Sequence, residues 1–211
     1  MRLKKVKSAK SIIEKSSYIV KDPKTHIGKW KLLFKNNNPI NLEIGMGKGD
    51  FIINMAQKYK NINFIGIEMY DSVILRAVQK LENKKIDNLK LICMDANLID
   101  EIFDKEISIL YLNFSDPWPK ARHEKRRLTS NRFLTKYDNI FSNTKTIYQK
   151  TDNDELFTYS LESLSNYGYK IKNVSLDLKN SNYKDNVLTE YEKKFNDLNI
   201  NIKRLEAYKE N

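Results

Sequence analysis

The sequence predicts an α/β fold: a mostly parallel sheet with helices on both faces. Three observations carry it. From about Ile40 onward, short apolar runs alternate with longer amphipathic segments, the pattern of strand–helix–strand crossovers. The first apolar run passes directly into a glycine turn, Gly45-Met46-Gly47-Lys48-Gly49. Finally, Glu43, Glu68, Asp95 and Asp116 each stand at or just past the end of one of the first four runs. Sheets of this kind bind ligands beyond the carboxyl ends of their strands, so the fold would place all four carboxylates along one rim.

In chain order, Ile40–Ile44 reads as the first strand. Residues 50–60 follow as a helix, with Phe51, Ile52, Met55, Ala56 and Tyr59 at helical spacing. A second strand covers 63–67, and a helix covers 72–83 with Ser72 as its N-cap. Strands are read over 89–93 and 107–114, a helix over 131–140, and a strand over 144–149. A helix over 152–166 takes Asp152 as its cap, and 169–176 and 200–208 alternate as late strands. No internal repeat and no Pro/Gly/Ser linker divides the chain, so the reading is a basic N-terminal arm over 1–35 and one domain over 36–211.

The chain has 211 residues and a formal charge of +11. No apolar run approaches the roughly 20 residues that span a bilayer, and the basic N-terminus has no apolar core of a signal peptide. The single cysteine, Cys93, lies in an apolar run and cannot form an intrachain disulfide, which fits a cytoplasmic protein. Two histidines and one cysteine make no zinc cluster, so no metal is expected. The positive charge favours a polyanionic partner. Its position says more than its total: residues 1–35 hold eleven Lys/Arg against Glu14 and Asp22. This stretch reads as an arm, partly disordered when free, that touches nucleic-acid backbone; a solubilising tail is the alternative.

The glycine turn has the spacing G-x-G-x-G rather than the G-x-G-x-x-G of dinucleotide folds, and no P-loop motif is present. Glu68 lies about twenty residues on, where a carboxylate can take ribose hydroxyls. Glu43 beside the glycines would oppose a pyrophosphate but suits a ligand with an amino group and a sulfonium. Asp95 could accept from an adenine amine. Gly45, Gly47 and Gly49 with Glu43, Glu68, Asp95 and Asp116 therefore favour S-adenosylmethionine over NAD or ATP. After the fourth strand comes Asp116-Pro117-Trp118-Pro119-Lys120, a stiff turn, then Arg122, His123, Glu124, Lys125, Arg126 and Arg127. A strand-end carboxylate beside a rigid basic loop suits a base that must be held while its phosphates are gripped. Trp118 is open to two readings, stacking on a base or packing.

These motifs, with Gly66-Ile67-Glu68, Lys150-Thr151-Asp152 and Thr189-Glu190-Tyr191-Glu192, resemble the bacterial tRNA (guanine-N7)-methyltransferases over about residues 42–195. The resemblance implies a seven-stranded, Rossmann-like class I S-adenosylmethionine-dependent methyltransferase that acts on guanine 46 of the tRNA variable loop. It implies Glu43, Glu68, Asp95 and Asp116 on the cofactor side. It implies Lys120, Asp152, Thr189, Glu190, Tyr191 and Glu192 on the substrate side, and Arg122 to Arg127 as an RNA-contacting stretch. It also implies no obligatory second subunit, leaving monomer and homodimer open. Guanine N7 carries a free lone pair, so methyl transfer needs no prior deprotonation. Asp116 is expected to orient the guanine and stabilise the cationic purine, not to act as a base on N7. Asp152 and Glu192 are candidates to accept from the guanine N1–H and N2–H₂ donors, although Asp152 also reads as a helix cap.

Overall fold

The computed structural model describes residues 9–210. Seven strands form one sheet: β1 (Ile40–Ile44), β2 (Asn63–Glu68), β3 (Leu89–Cys93), β4 (Ile107–Asn113), β5 (Lys145–Thr151), β6 (Lys170–Ser175) and β7 (Lys203–Lys209). Their order is β3-β2-β1-β4-β5-β7-β6. The first five pair in parallel, and β7 runs antiparallel between β5 and β6. The chain steps outward from β1 to β3 and then returns to β4 on the other side of β1. That reversal opens a crevice at the carboxyl ends of β1 and β4, the position where such sheets receive ligands.

The parallel strands are apolar because they are covered twice. On one face α3 (Asp50–Lys58) and α4 (Asp71–Leu81) pack Phe51, Ile52, Met55, Ile74 and Leu75 against Phe64 and Leu91 of the sheet. On the other, α5 (Asn131–Ile140) and α6 (Asp154–Asn166) pack Phe133, Leu134, Tyr137 and Phe157 against Leu42, Leu110 and Ile147. The expected α/β sheet with helices on both faces is present.

Residues 9–35 are built into the fold rather than set apart from it. They form α1 (Ala9–Lys15) and the short α2 (Trp30–Phe34), and Ile13, Val20, Trp30 and Phe34 are buried. Trp30 Nε1 donates to Ile102 O at 2.7 Å, and Glu106 accepts from the main-chain N–H groups of Gly28 and Trp30 at 3.0 and 2.9 Å. Apolar anchors interleaved with lysines explain the difference from a free arm: charge density hid four core residues. Residues 1–8 of that expected arm lie outside the described residues.

Two expected caps are displaced. Ser72 is inside α4, whose N-cap position is Tyr70. The cap of α6 is Asn153, whose side chain accepts from Leu156 N at 2.7 Å, not Asp152. The cause is β5, which runs on through Thr151 because antiparallel β7 pairs with it from Lys145 to Thr151. The last strand starts at Lys203, because α7 (Glu190–Asp197) and its C-cap Leu198 come first.

Candidate active site

Beyond β1 the main chain turns through Gly45, Gly47 and Gly49 at φ +73°, +58° and +80°, conformations that side-chain-bearing residues rarely adopt. Two of these glycines do different work. A Cβ on Gly47 would enter open space, so its main chain lies bare toward the crevice. A Cβ on Gly49 would sit 2.8 Å from Ala77 Cβ, so this glycine lets α3 approach α4. Glu68, nearly buried at the end of β2, accepts from Gly47 N and Tyr70 N, each at 3.1 Å. It thereby ties the loop after β1 to the loop after β2. Burial raises its pKa; bonds from the main chain oppose the rise, and the charge of nearby Asp116 adds to it.

Glu43 is buried at the crevice floor. Its Oε1 accepts from Asn113 Nδ2 of β4 at 2.8 Å, while its Oε2 is buried with no partner among the described residues. Burial pushes its pKa up to about 7, against the Asn113 hydrogen bond and the positive charge of Lys150. An unsatisfied buried carboxylate oxygen is costly, so this atom awaits a donor. Asp95, just past β3 on the same rim of the sheet, caps the short helical turn Ala96–Glu101: its Oδ1 accepts from Asn97 N and Nδ2, both at 2.8 Å.

The loop after β4 is strained, with Phe114 and Trp118 at φ +52° and +43°. Such conformations cost of order 1–3 kcal/mol and persist where surrounding structure enforces them. Here Phe114 N donates to Lys150 O at 2.8 Å, and Arg127 donates through Nε to Pro117 O and through a terminal nitrogen to Trp118 O, at 3.1 and 3.2 Å. The Arg127 guanidinium also lies 4.3 Å from the centre of the Tyr159 ring. Arg127 therefore clamps the loop from within. Glu124 is likewise engaged, accepting from the Tyr159 hydroxyl at 3.0 Å. Asp116, Lys120, Arg122, Lys125 and Arg126 are exposed. The Arg126 guanidinium sits 4.8 Å over the Trp118 ring, and His123 meets that ring edge-on at 5.7 Å.

On the neighbouring strand, Asp152 is half-buried just past β5, and its carbonyl takes the Lys203 ammonium at 3.0 Å. Its carboxylate has no partner among the described residues. The Thr189–Glu192 turn reaches the same rim from the other side. Thr189 caps α7, accepting from Glu192 N at 2.9 Å. Glu190 pairs with Lys48 of the glycine loop at 2.5 Å. Tyr191 is exposed and stacks on Phe114 and Phe195, with ring centres 6.0 and 6.2 Å apart. Glu192 differs from the expectation of a free edge-gripping carboxylate. It is buried, and its two oxygens accept from Lys150 Nζ at 2.9 Å and from Asn186 Nδ2.

The structure thus gathers Glu43, Glu68 and the glycines at the β1–β4 crevice, brings Asp116 and Asp152 to the ends of adjacent strands, turns Arg127 and Glu192 inward, and engages the exposed Glu124 with Tyr159. Asn113, Lys150, Lys48 and Asn186 join the site without having been singled out. Lys150 stood within a quoted motif, and Asn113 was visible as a polar residue closing an apolar strand. Among the described residues no helix is long and apolar enough to cross a membrane, and no group of three or more His, Cys, Asp or Glu is placed to hold a metal ion.

A family model described as "Putative methyltransferase" matches residues 37–205. A protein of Lachnoclostridium phytofermentans named tRNA (guanine-N(7)-)-methyltransferase is 47% identical, covering 100% of this chain and 99% of its own length. The chain belongs to that methyltransferase family. Proteins of the same name from Listeria innocua and Bacillus subtilis are 49% and 48% identical, over 98% and 93% of this chain and 98% and 92% of their own. The family's fold recurs in more distant solved structures. An antibiotic-related methyltransferase superposes with a TM-score of 0.65 at 16% identity, covering 87% of this chain and 94% of the other. The 16S rRNA methyltransferase KamB does so with a TM-score of 0.64 at 11% identity, over the same shares. At that distance the likeness concerns the fold alone, and the sheet with its crevice is what is shared.

Proposed function

We propose that this protein transfers the methyl group of S-adenosylmethionine to N7 of a guanine in tRNA, at position 46 of the variable loop. The observation that carries this reading is the near-half identity, over almost the whole chain, to relatives bearing that name. The residues present fit the donor. The unpartnered Glu43 Oε2 offers a buried acceptor to its ammonium group, and Gly47 leaves bare main chain beside it. We assign Glu68, at the end of β2, to the ribose hydroxyls, and Asp95, just past β3, to the adenine amine. When bound, the donor supplies an electrophilic methyl on a sulfonium.

The protein's own residues then have two tasks. They must hold two reactants in attacking geometry, an effect worth up to about 7–11 kcal/mol, and they must favour the positive charge that appears on the purine. Asp116 has an exposed carboxylate on a loop held rigid by Arg127 and by the Phe114–Lys150 main-chain bond. It stands where it can face a cationic base and orient it. The free carboxylate of Asp152 accepts from the guanine N1–H and N2–H₂ edge, which adenine would not satisfy. Lys120, Arg122, Lys125 and Arg126 present their charges outward and grip phosphate. N7 faces the deep groove of A-form RNA, closed to side chains, so the target guanine is read from a loop or extruded. With tRNA as the substrate, we expect the reaction to take place in the cytoplasm.

The test is incubation of the purified protein with methyl-labelled S-adenosylmethionine and unmodified tRNA transcript, followed by nucleoside analysis. The expected product is 7-methylguanosine, lost when the variable-loop guanine is replaced. Donor binding with no methylated tRNA would overturn the substrate assignment. Asp116→Asn is expected to lower kcat by about 10²–10³-fold, in the range seen for loss of one charge-stabilising group. Wild-type turnover in that variant would remove Asp116 from the mechanism.

A further inference from the structure

One buried cation touches both halves of the crevice. Lys150 is the penultimate residue of β5 and is almost fully buried. Its ammonium donates to Asn186 Oδ1 at 2.5 Å, to Val187 O at 2.9 Å and to Glu192 Oε2 at 2.9 Å, and it lies 5.3 Å from the centre of the Phe51 ring on α3. All three acceptors belong to the segment that leads into and opens α7, which also carries Thr189, Glu190 and Tyr191. The carbonyl of Lys150 meanwhile receives Phe114 N, fixing the start of the Asp116 loop. Lys150 also lines, with Asn113, Phe51, Tyr111, Tyr183 and Arg204, a cavity of about 190 Å³ beneath that segment.

Resting on the function proposed above, we propose that Lys150 is a positioning residue that couples the two reactant sites. It anchors the 186–192 segment on the substrate side and supplies the countercharge for Glu43 on the donor side. Two physical points support this. A lysine so deeply buried is tolerated only with partners, and its partners lie far away in sequence, so the contact stabilises one particular placement of α7's start. In addition, the one side-chain hydrogen bond that Glu43 keeps among the described residues comes from Asn113, which stands directly opposite Lys150 across the β4–β5 pair, and the acids around Glu43 work against its ionisation. The charged groups facing Glu43 are Lys150 from β5, Glu68 from β2 and Asp50 from α3; of these only Lys150 favours the carboxylate. Lys150 itself faces Glu192 from α7 and Arg204 from β7, the first favouring its charge and the second opposing it. Lys150 touches neither reactant in this account; it acts through Glu43 and through the turn.

The coupling predicts a pH signature that a packing role would not produce. Equilibrium binding of S-adenosylmethionine to the full-length wild type should tighten as pH rises through about 7, where Glu43 ionises. Lys150→Met alone strands the Glu192 carboxylate and can fail to fold, so the decisive variant is K150M/E192Q, with E192Q as its reference. Relative to E192Q, the double variant is expected to bind the donor with a midpoint about one pH unit higher, hence about fivefold more weakly at pH 7 and about tenfold below pH 6, and to converge with it by pH 9. K150R, which keeps the charge, should return the midpoint toward the wild-type value. The KM for tRNA should rise in the double variant even at pH 9, where donor binding has recovered. A double variant whose midpoint matches that of E192Q overturns the proposal, as does a uniform loss of affinity at every pH. A wild type that binds no donor at any pH would overturn the proposed function itself, and this inference with it.

Discussion

Glu43 carries a stability cost that the proposed donor site would explain. Its carboxyl has one hydrogen bond, one orphaned oxygen and a pKa pushed by burial from the ordinary 4.5 up to about 7. Because the folded value lies above the unfolded one, the folded state holds the extra proton between those pH values. Stability contributed by the group is therefore complete below about pH 4.5 and gone above about pH 7, with a ceiling on the order of 3 kcal/mol. Glu43→Gln removes the titration and keeps an acceptor for Asn113. The ligand-free variant is expected to unfold at higher temperature than the wild type at pH 8, by several degrees, with the gap closing toward pH 5. Thermal unfolding scans at the two pH values would check this, and a gap that stays constant with pH would show that Glu43 is not the titrating group. The same variant should lose donor affinity, because the amide cannot offer charge to an ammonium. A stabilising substitution that removes function is the expected pattern where a site is built from an unsatisfied group.

At the scale of elements, the helical turn Ala121–Arg126 and the arginine after it divide their labour. Arg122, Lys125 and Arg126 point to solvent, whereas Arg127 is tied to the Pro117 and Trp118 carbonyls and stacks on Tyr159. Neutralising the three outward cations to Gln should weaken tRNA binding about uniformly across sequences and lower the salt slope by about two to three, leaving thermal stability unchanged. Arg127→Met should do the reverse, lowering kcat and the melting temperature with a smaller change in slope; affinity titrations at several salt concentrations separate the two. Neighbouring arginines with opposite orientations also mark where sequence stops being legible. The parallel strands were readable because burial on both faces writes a continuous apolar run, and β1 and β3 fall on their expected residues. The glycine turn and the acidic rim were readable because main-chain geometry demands those residue types locally. Which arginine turns inward is decided by Tyr159 on α6, and the fate of Glu192 by Lys150, 42 residues away. Neither leaves a local pattern. The cap of α6 was misplaced for the same reason, since pairing with distant β7 lengthened β5.

The whole molecule must also close two sheet edges, and it does so by different means. The β6 edge is open but blunted: its pairing with β7 shifts register between Lys172 and Ser175, Asn173 takes a left-handed conformation, and Lys170 and Lys172 lie over the Tyr208 ring. Irregularity and lysines are the usual protection of a free edge. At the other end, β3 is regular and mostly apolar, and here the N-terminal segment supplies the cover. Val20 N donates to Leu91 O at 3.0 Å and Leu91 N donates to Tyr18 O at 2.8 Å, while Trp30 is fully buried below. The basic residues of this segment face outward from a framework of apolar anchors, so a role in holding RNA and a role in holding the fold are compatible in the same stretch. The two make separable predictions. Trp30→Ala empties a large buried volume and severs the bond to Ile102, and should cost about 3–5 kcal/mol. Removal of residues 1–35 should go further: it uncovers the β3 edge, and the product should aggregate or lose its cooperative unfolding transition. Replacement of the exposed Lys21, Lys24, Lys29 and Lys31 by Gln, by contrast, should leave the melting temperature within about 2 °C and lower only RNA affinity. Calorimetry with light scattering on the three proteins distinguishes these outcomes. A truncated chain that stays free of aggregates, melts like the wild type and merely binds tRNA less well would mean that residues 9–35 are an appendage after all, and that the edge of β3 needs no cover.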